Sequence, residues 1–244
     1  MRKKLLAYSV KYNGDYFKIK KAVENNEKYQ EITYSGSYLT IRDNIYPDTL
    51  RQLKYPPFVL YYEGDITLLN NVMVGIVGSR ICDERGEENV IALMQHLNPH
   101  YGIVSGMAKG IDGIAHQQAL SNGRKTVGVI GCGLDIIYPH ENDELFNLMR
   151  NQALLISEYP QKTPPLAYHF PWRNRLIAAL GDSLIVVQAK RRSGTLISVN
   201  EALELNKTIY CFPGCYDDKF YSGCNLLINE GAQIICSDSD IKNI

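Results

Sequence analysis

From Val72 to Ile235 the chain repeats one pattern: a short apolar run, a polar turn, then a longer mixed stretch. The apolar runs are Met73–Val77, Ile103–Val104, Val127–Ile130, Leu154–Ile156, Leu184–Val187, Thr208–Cys211 and Gln233–Ile235. A strand with one wet face alternates apolar and polar residues. Most of these runs are continuously apolar, so both their faces must be covered. Helical stretches separate them at Glu84–Leu97, Ile111–Ser121, Glu141–Asn151, Pro171–Leu180, Thr195–Leu205 and Asn225–Asn229. Strands alternating with helices define a parallel sheet coated on both sides. The expected fold is α/β: an extended Rossmann-like, doubly wound and mostly parallel sheet.

Residues 1–65 have a different texture, rich in Tyr and Lys. A helix is predicted from Asp15 to about Tyr29. Turn signals follow at Tyr34–Ser37 and Tyr46–Asp48, and Pro56-Pro57 leads into an apolar strand, Phe58–Tyr62. The expectation is a small N-terminal helical appendage over 1–65 and a Rossmann-like domain over 66–244. After the basic start, Tyr8, Ser9 and Lys11 cut the apolar run too short for a signal peptide. No apolar run reaches the ~18 residues needed to cross a bilayer. A cytoplasmic protein with no membrane partner is expected. The six cysteines include no C-x-x-C pair, and no His lies near Cys211, Cys215 or Cys224, so no metal site is expected.

Formal net charge is zero, which excludes a globally basic surface, but the distribution is uneven. Between Arg173 and Arg192 lie five cationic residues and one acid, Asp182. Doubly wound sheets place ligands beyond the carboxyl ends of their strands, where helix N-termini point outward. The turns Gly78-Ser-Arg80, Gly106–Gly110 and Gly131–Gly133 fall at that edge. A dinucleotide does not fit them: Gly128, Gly131 and Gly133 miss the G-x-G-x-x-G frame, with Ile136 at the third position. A P-loop fails as well, because Gly106-Met-Ala-Lys-Gly110 has neither the spacer nor the closing Lys-Ser/Thr. No cofactor is expected.

Pro171 suits the first turn of a helix, which sets Arg173, Asn174 and Arg175 just inside it. Arginines there oppose the helix macrodipole, a conflict that a bound anion would relieve. Ser193-Gly-Thr195 opens another helix just after Lys190-Arg-Arg192. With Arg80 and Lys109 these groups make an anion groove too long for one phosphate, which points to a nucleic-acid strand. Asp112 and His116, four apart on one helix, invite a catalytic reading. Capping and local packing account for them more simply.

These residues carry a resemblance. Gly78-Ser-Arg80, Ser105–Asp112 with Ala115-His116, Gly131–Asp135, Tyr138-Pro139, Ser157-Glu158, Phe170–Arg175, Ser193–Ile197 and Pro213-Gly214 occur in the order seen in the DprA/Smf family of DNA-processing proteins. The resemblance spans about residues 45–236. It implies a Rossmann-like core that binds single-stranded DNA, forms homodimers and loads the RecA recombinase during natural transformation, with no catalytic residue. By position, Gly78, Ser79, Arg80, Gly106, Lys109, Gly110, Arg173, Asn174, Arg175, Ser193, Gly194 and Thr195 would hold DNA phosphates. The family's aromatic after Gly-Ser-Arg is Arg85 here, so no stacking platform is expected at that turn. Two other readings share the fold. A nucleotide N-glycosidase needs a glutamate close behind Gly194-Thr195, where the first acid is Glu201. A nucleotide-sensing module would bind one small phosphorylated ligand.

Overall fold

The computed structural model describes residues 1–244. Helices α1 (Arg2–Lys11) and α2 (Tyr16–Glu24) come first, then β1 (Ser37–Thr40), the short α3 (Asp48–Arg51) and β2 (Val59–Gly64). The alternating part follows: β3 (Met73–Val77), α4 (Glu84–His96), β4 (Gly102–Gly106), α5 (Ile111–Ser121), β5 (Thr126–Ile130) and α6 (Asp143–Gln152). It continues with β6 (Leu154–Ser157), α7 (His169–Leu180), β7 (Ser183–Val186), α8 (Thr195–Glu204), β8 (Thr208–Cys211) and α9 (Ser222–Asn229). Strand β9 (Gln233–Ile234) and α10 (Asp238–Lys242) close the described chain.

One nine-stranded sheet runs in the order β1-β2-β6-β5-β4-β3-β7-β8-β9. From β6 to β9 every neighbouring pair is parallel, while β2 runs antiparallel to both β6 and β1. Strands β3, β4 and β5 are buried along their whole length, as their continuous apolar runs require. The winding reverses at β3, which pairs with β4 on one side and β7 on the other. Such a reversal opens a crevice at the carboxyl ends of the central strands.

The amino-terminal segment departs from expectation. Strand β2 pairs with β6 from Tyr61↔Ser157 to Gly64↔Leu154, so the sheet runs across the expected boundary at residue 65. Strand β1, which starts at Ser37 where the expected turn ends, was not foreseen. Its register, Tyr38↔Tyr61 and Leu39↔Leu60, comes from pairing with β2 rather than from local propensity. Helix α1 was not foreseen because Leu5, Leu6, Ala7, Tyr8 and Ser9 are all buried. A helix covered on more than one face shows no 3.6-residue pattern. Helix α2 stops at Glu24, short of Tyr29, and Asn26 then takes a left-handed φ of 47°.

Leu5 and Leu6 pack in one cluster with Val59 and Tyr61 of β2, Ile130 of β5 and Phe146 of α6. The buried Tyr61 hydroxyl donates to Ser9 Oγ at 2.9 Å. The first helix is therefore part of a shared core. Replacing Leu6 (3% exposed) by Ala should lower stability by about 2–5 kcal/mol, the range for a buried leucine. Urea unfolding should show one shifted transition. An early separate transition, with the main one unmoved, would mean that α1 folds as an independent appendage.

Candidate nucleic-acid interface

A cleft of about 450 Å³ opens over the carboxyl ends of β3, β4 and β7. Three chain segments meet there: Gly78–Ile81 after β3, Phe170–Asn174 of α7, and Lys190–Thr195 ahead of α8. Eight of the sequence-predicted residues line it: Gly78, Ser79, Arg80, Arg173, Asn174, Ser193, Gly194 and Thr195. They play different parts.

The floor holds two buried groups of opposite charge. Arg173 is 5% exposed, its Nη1 donates to the Val129 carbonyl, and its Nε donates to Asn174 Oδ1 at 3.2 Å. Beside it lies Asp112, 8% exposed. Burial raises the Asp112 carboxyl to about 6, against the opposing pull of Arg173, Arg80 and the amides of Ala108 and Gly78. Gly106 makes this arrangement possible, since a Cβ there would stand 2.4 Å from Asp112 Oδ2 and 2.6 Å from both Arg173 Nη atoms. Gly110 has a comparable role in the backbone. Its φ of 71° and its missing Cβ, which would meet Ser79 O at 2.3 Å, bring the turn after β4 against the turn after β3. Ile111 N–H then donates to Ser79 O at 3.1 Å.

The rim is different. Arg80, Lys190 and Arg192 are exposed, and none has a carboxylate within ion-pair distance. The amide N–H groups of Ser193, Gly194 and Thr195 find no acceptor in the chain, and no side chain caps α8. An uncapped helix N-terminus with a positive dipole end is receptive to anions. Ser193 Oγ is buried and also without a partner. Thr195 Oγ1 is already engaged, donating to Gly78 O at 3.1 Å.

Several expected contacts are not available. Ser79 N–H donates to Gln188 O at 2.8 Å, and the Ser79 hydroxyl donates to Ile81 O at 2.5 Å, so this turn offers mainly its Arg80 side chain. Lys109 is ion-paired with Glu141 and stands in a small neighbouring hollow rather than in the cleft. Gly106 and Gly110 shape the turn from behind. Arg175 is the clearest correction. Two residues along a helix turn by about 200°, so Arg173 and Arg175 face opposite ways. Arg175 is 3% exposed and doubly bonded to Glu158, its Nη2 lying 2.8 Å from Oε1 and 2.7 Å from Oε2. It also donates to the carbonyls of Tyr55 at 3.1 Å and Trp172 at 2.7 Å. Helix α7 begins at His169, which makes Pro171 its third residue and places both arginines in the second turn. The macrodipole conflict expected in a first turn is correspondingly weaker there.

His116 is wholly buried, with Nε2 2.9 Å from Gly106 O and Nδ1 2.7 Å from Thr126 Oγ1. Burial lowers it to about 4, so it is neutral near pH 7 and holds the end of β4 in place. Sequence reasoning gave no role to Tyr138 or Phe170. They sit 5.3 Å apart, Tyr138 is 40% exposed, and the Arg80 guanidinium lies 5.8 Å from the Phe170 ring centre. Both residues belong to the motif set quoted above, and that was the available signal.

Fold and cleft together define an α/β protein with an anion-receptive crevice at the topological switch of a parallel sheet. The sequence profile described as DNA recombination-mediator protein A matches residues 37–244, and the chain belongs to that family. The DNA processing protein DprA of Streptococcus pneumoniae is 43% identical over 202 residues, 83% of this chain and 72% of that protein. The Bacillus subtilis DprA is 40% identical over 205 residues, 83% and 69% of the two chains. Among solved structures, the X-ray structure of S. pneumoniae DprA superposes with a TM-score of 0.82 at 36% identity, covering 98% of this chain and 90% of that one. A Helicobacter pylori DNA processing protein A, solved to describe its single-stranded DNA binding mode, gives a TM-score of 0.77 at 32% identity, covering 86% and 95%.

The Arg175–Glu158 pair assigns these residues to the scaffold. Burial raises the Glu158 carboxyl despite Arg175 and the Trp172 indole N–H, which donates to Oε2 at 3.1 Å. Glu158→Gln would leave a buried guanidinium without its counter-charge. Chemical denaturation should show a loss of about 3–5 kcal/mol. A loss below about 1 kcal/mol, typical of an exposed pair, would contradict the assignment.

Proposed function

We propose that this chain is a single-stranded DNA-binding recombination mediator. In this reading it protects incoming DNA and loads the RecA recombinase during natural transformation, acting in the cytoplasm as a homodimer and not as an enzyme. The observation that carries the DNA-binding part is the rim: Arg80, Lys190 and Arg192 border one cleft and none is matched by an internal acid. Cations held unpaired at the mouth of a parallel-sheet crevice suit a polyanion. Membership in the recombination-mediator family supports the role, as does the DNA-binding relative from H. pylori. Recombinase loading, the dimer and the link to transformation rest on the family alone.

Phosphates would lie against the Arg80, Lys190 and Arg192 side chains and the open amides of Ser193, Gly194 and Thr195. Arg173 would supply a fixed charge from below, with Asn174 holding it. Lys109 would join at the flank by exchanging Glu141 for a phosphate. Arg offers two parallel donors to two phosphate oxygens, and the amides add donors that need no reorganisation. Tyr138 and Phe170 would stack a base beside the phosphate track, the combination of charge and aromatic surface that single-strand binders use. The N-glycosidase reading weakens because the cleft's carboxylate is the buried Asp112, while Glu201 lines a different cavity.

Fluorescence anisotropy with labelled oligo-dT tests this. Arg80→Ala/Arg192→Ala should remove most of the binding, and the log–log salt slope should flatten by about 0.7 for each phosphate that the variant no longer neutralises. Wild-type affinity that ignores salt and both arginines would sink the proposal. Mononucleotide binding without oligonucleotide binding would point to a sensing module. A monomeric mass at micromolar concentration would refute the dimer.

The Asp112 carboxyl adds a pH test. Its charge opposes a polyanion, so binding favours the protonated form. Affinity should rise as pH falls through about 6, and the rise should be smaller in Asp112→Asn. The same rise in both proteins would assign the effect to another group.

A further inference from the structure

Helix α7 carries the floor of the cleft on one face and a second cavity on the other. This cavity, about 410 Å³, opens between α7, α8 and the segment after α3. Tyr55 and Trp172 line it, with ring centres 5.4 Å apart and planes inclined at 33°. Phe17 of α2, 58% exposed, stands 5.4 Å from the Tyr55 ring and 5.9 Å from Trp172, which extends the aromatic surface outward. Glu201 and Glu204 contribute carboxylates from one side of α8. Neither is paired within the chain, and burial together with the charge of Glu204 raises the Glu201 carboxyl.

Two cations also border the cavity. Arg175 is neutralised by Glu158 at 2.7 Å, and Lys54 lies over the Tyr55 ring at 5.4 Å from its centre. Two unpaired carboxylates against one free ammonium leave the cavity with excess negative charge. Aromatic rings combined with carboxylates recognise a cation that has an apolar stem. A guanidinium suits this set better than an ammonium, because its plane stacks on rings while its fork bonds carboxylates. The cavity already holds one such stack in its wall, where Arg175 lies 4.2 Å from the Trp172 ring centre.

We propose that this cavity is a docking site for an arginine side chain of a protein partner. The excess negative charge and the aromatic lining select that occupant. The site is independent of the DNA-binding reading, since it shares no lining residue with the cleft. It also gives the residues ahead of β3 a role in partner contact, because Lys54 and Tyr55 form one wall and Phe17 the rim.

Trp172 is the only tryptophan in the chain, so its fluorescence reports on the cavity directly. The full chain is titrated with acetyl-Gly-Arg-Gly-amide and, separately, with the same peptide carrying citrulline, which keeps the shape and removes the charge. The arginine peptide should give a saturable change in emission, and the citrulline peptide none. Glu201→Gln/Glu204→Gln should weaken binding by about tenfold or more, with oligo-dT affinity and unfolding midpoint unchanged. An equal response to citrulline, an unchanged affinity in the double variant, or no saturable response up to about 10 mM would overturn the proposal.

Discussion

The reversal of winding at β3 is the constraint on which the molecule depends. Strands β4, β5 and β6 are laid down on one side of it, and the chain then crosses back through α7 to place β7 on the other. Helices that leave a central strand toward opposite faces cannot close over its carboxyl end, so a crevice remains. Every segment of the cleft is positioned by that crossing. The turn after β3, the amino-terminal half of α7 and the turn after β7 are far apart in sequence and adjacent only because β3 lies between β4 and β7.

Pairing of charges divides the arginines into two groups. An ionised guanidinium removed from water needs a nearby counter-charge, and losing that partner is costly. Arg175 obeys this rule through its ion pair with Glu158, whereas Arg173 has Asp112 nearby but beyond ion-pair distance and is held by the Val129 carbonyl. Hydrated cations at the rim need no such partner, and Arg80, Lys190 and Arg192 have none. The arginines that build the site are thus distinguishable from those able to engage a ligand by whether an acid already holds them. Arg173 lies between the groups, since it is buried without an ion pair and forms the floor of the cleft.

Two cavities on opposite faces of α7 give that helix an unusual load. Asn174 and Arg173 look toward the cleft, and Trp172 and Arg175 toward the aromatic cavity. Residues separated by one or two positions therefore report to different surfaces, and the Arg175–Glu158–Trp172 network fixes the helix between them. The amino-terminal segment takes part as well, since Tyr55 O accepts from Arg175 and the Tyr55 ring meets Trp172.

The order of strands and helices from Met73 onward was legible because it depends on local periodicity. A strand buried on both faces has to be apolar throughout, and the longer mixed stretches between such strands mark the helices. The two turns after β3 and β7 could likewise be marked as anion-receptive from their glycines, hydroxyls and cations. Pairing between distant segments was not legible in this way. The strand β1, the membership of β2 in the sheet and the burial of α1 on several sides all arise from contacts across the chain, which leave no periodic trace. The same limit explains Arg175, which a linear reading groups with Arg173 although the helix turns it to the far side, where a glutamate from the end of β6 waits. It explains Lys109, neutralised by Glu141 thirty-two residues on, and the Tyr138–Phe170 pair, joined only when the segment after β5 meets the start of α7. Residue type and spacing determined which groups could bind an anion. The tertiary structure decided which of them remain free to do so, because availability depends on the partner a side chain meets in space.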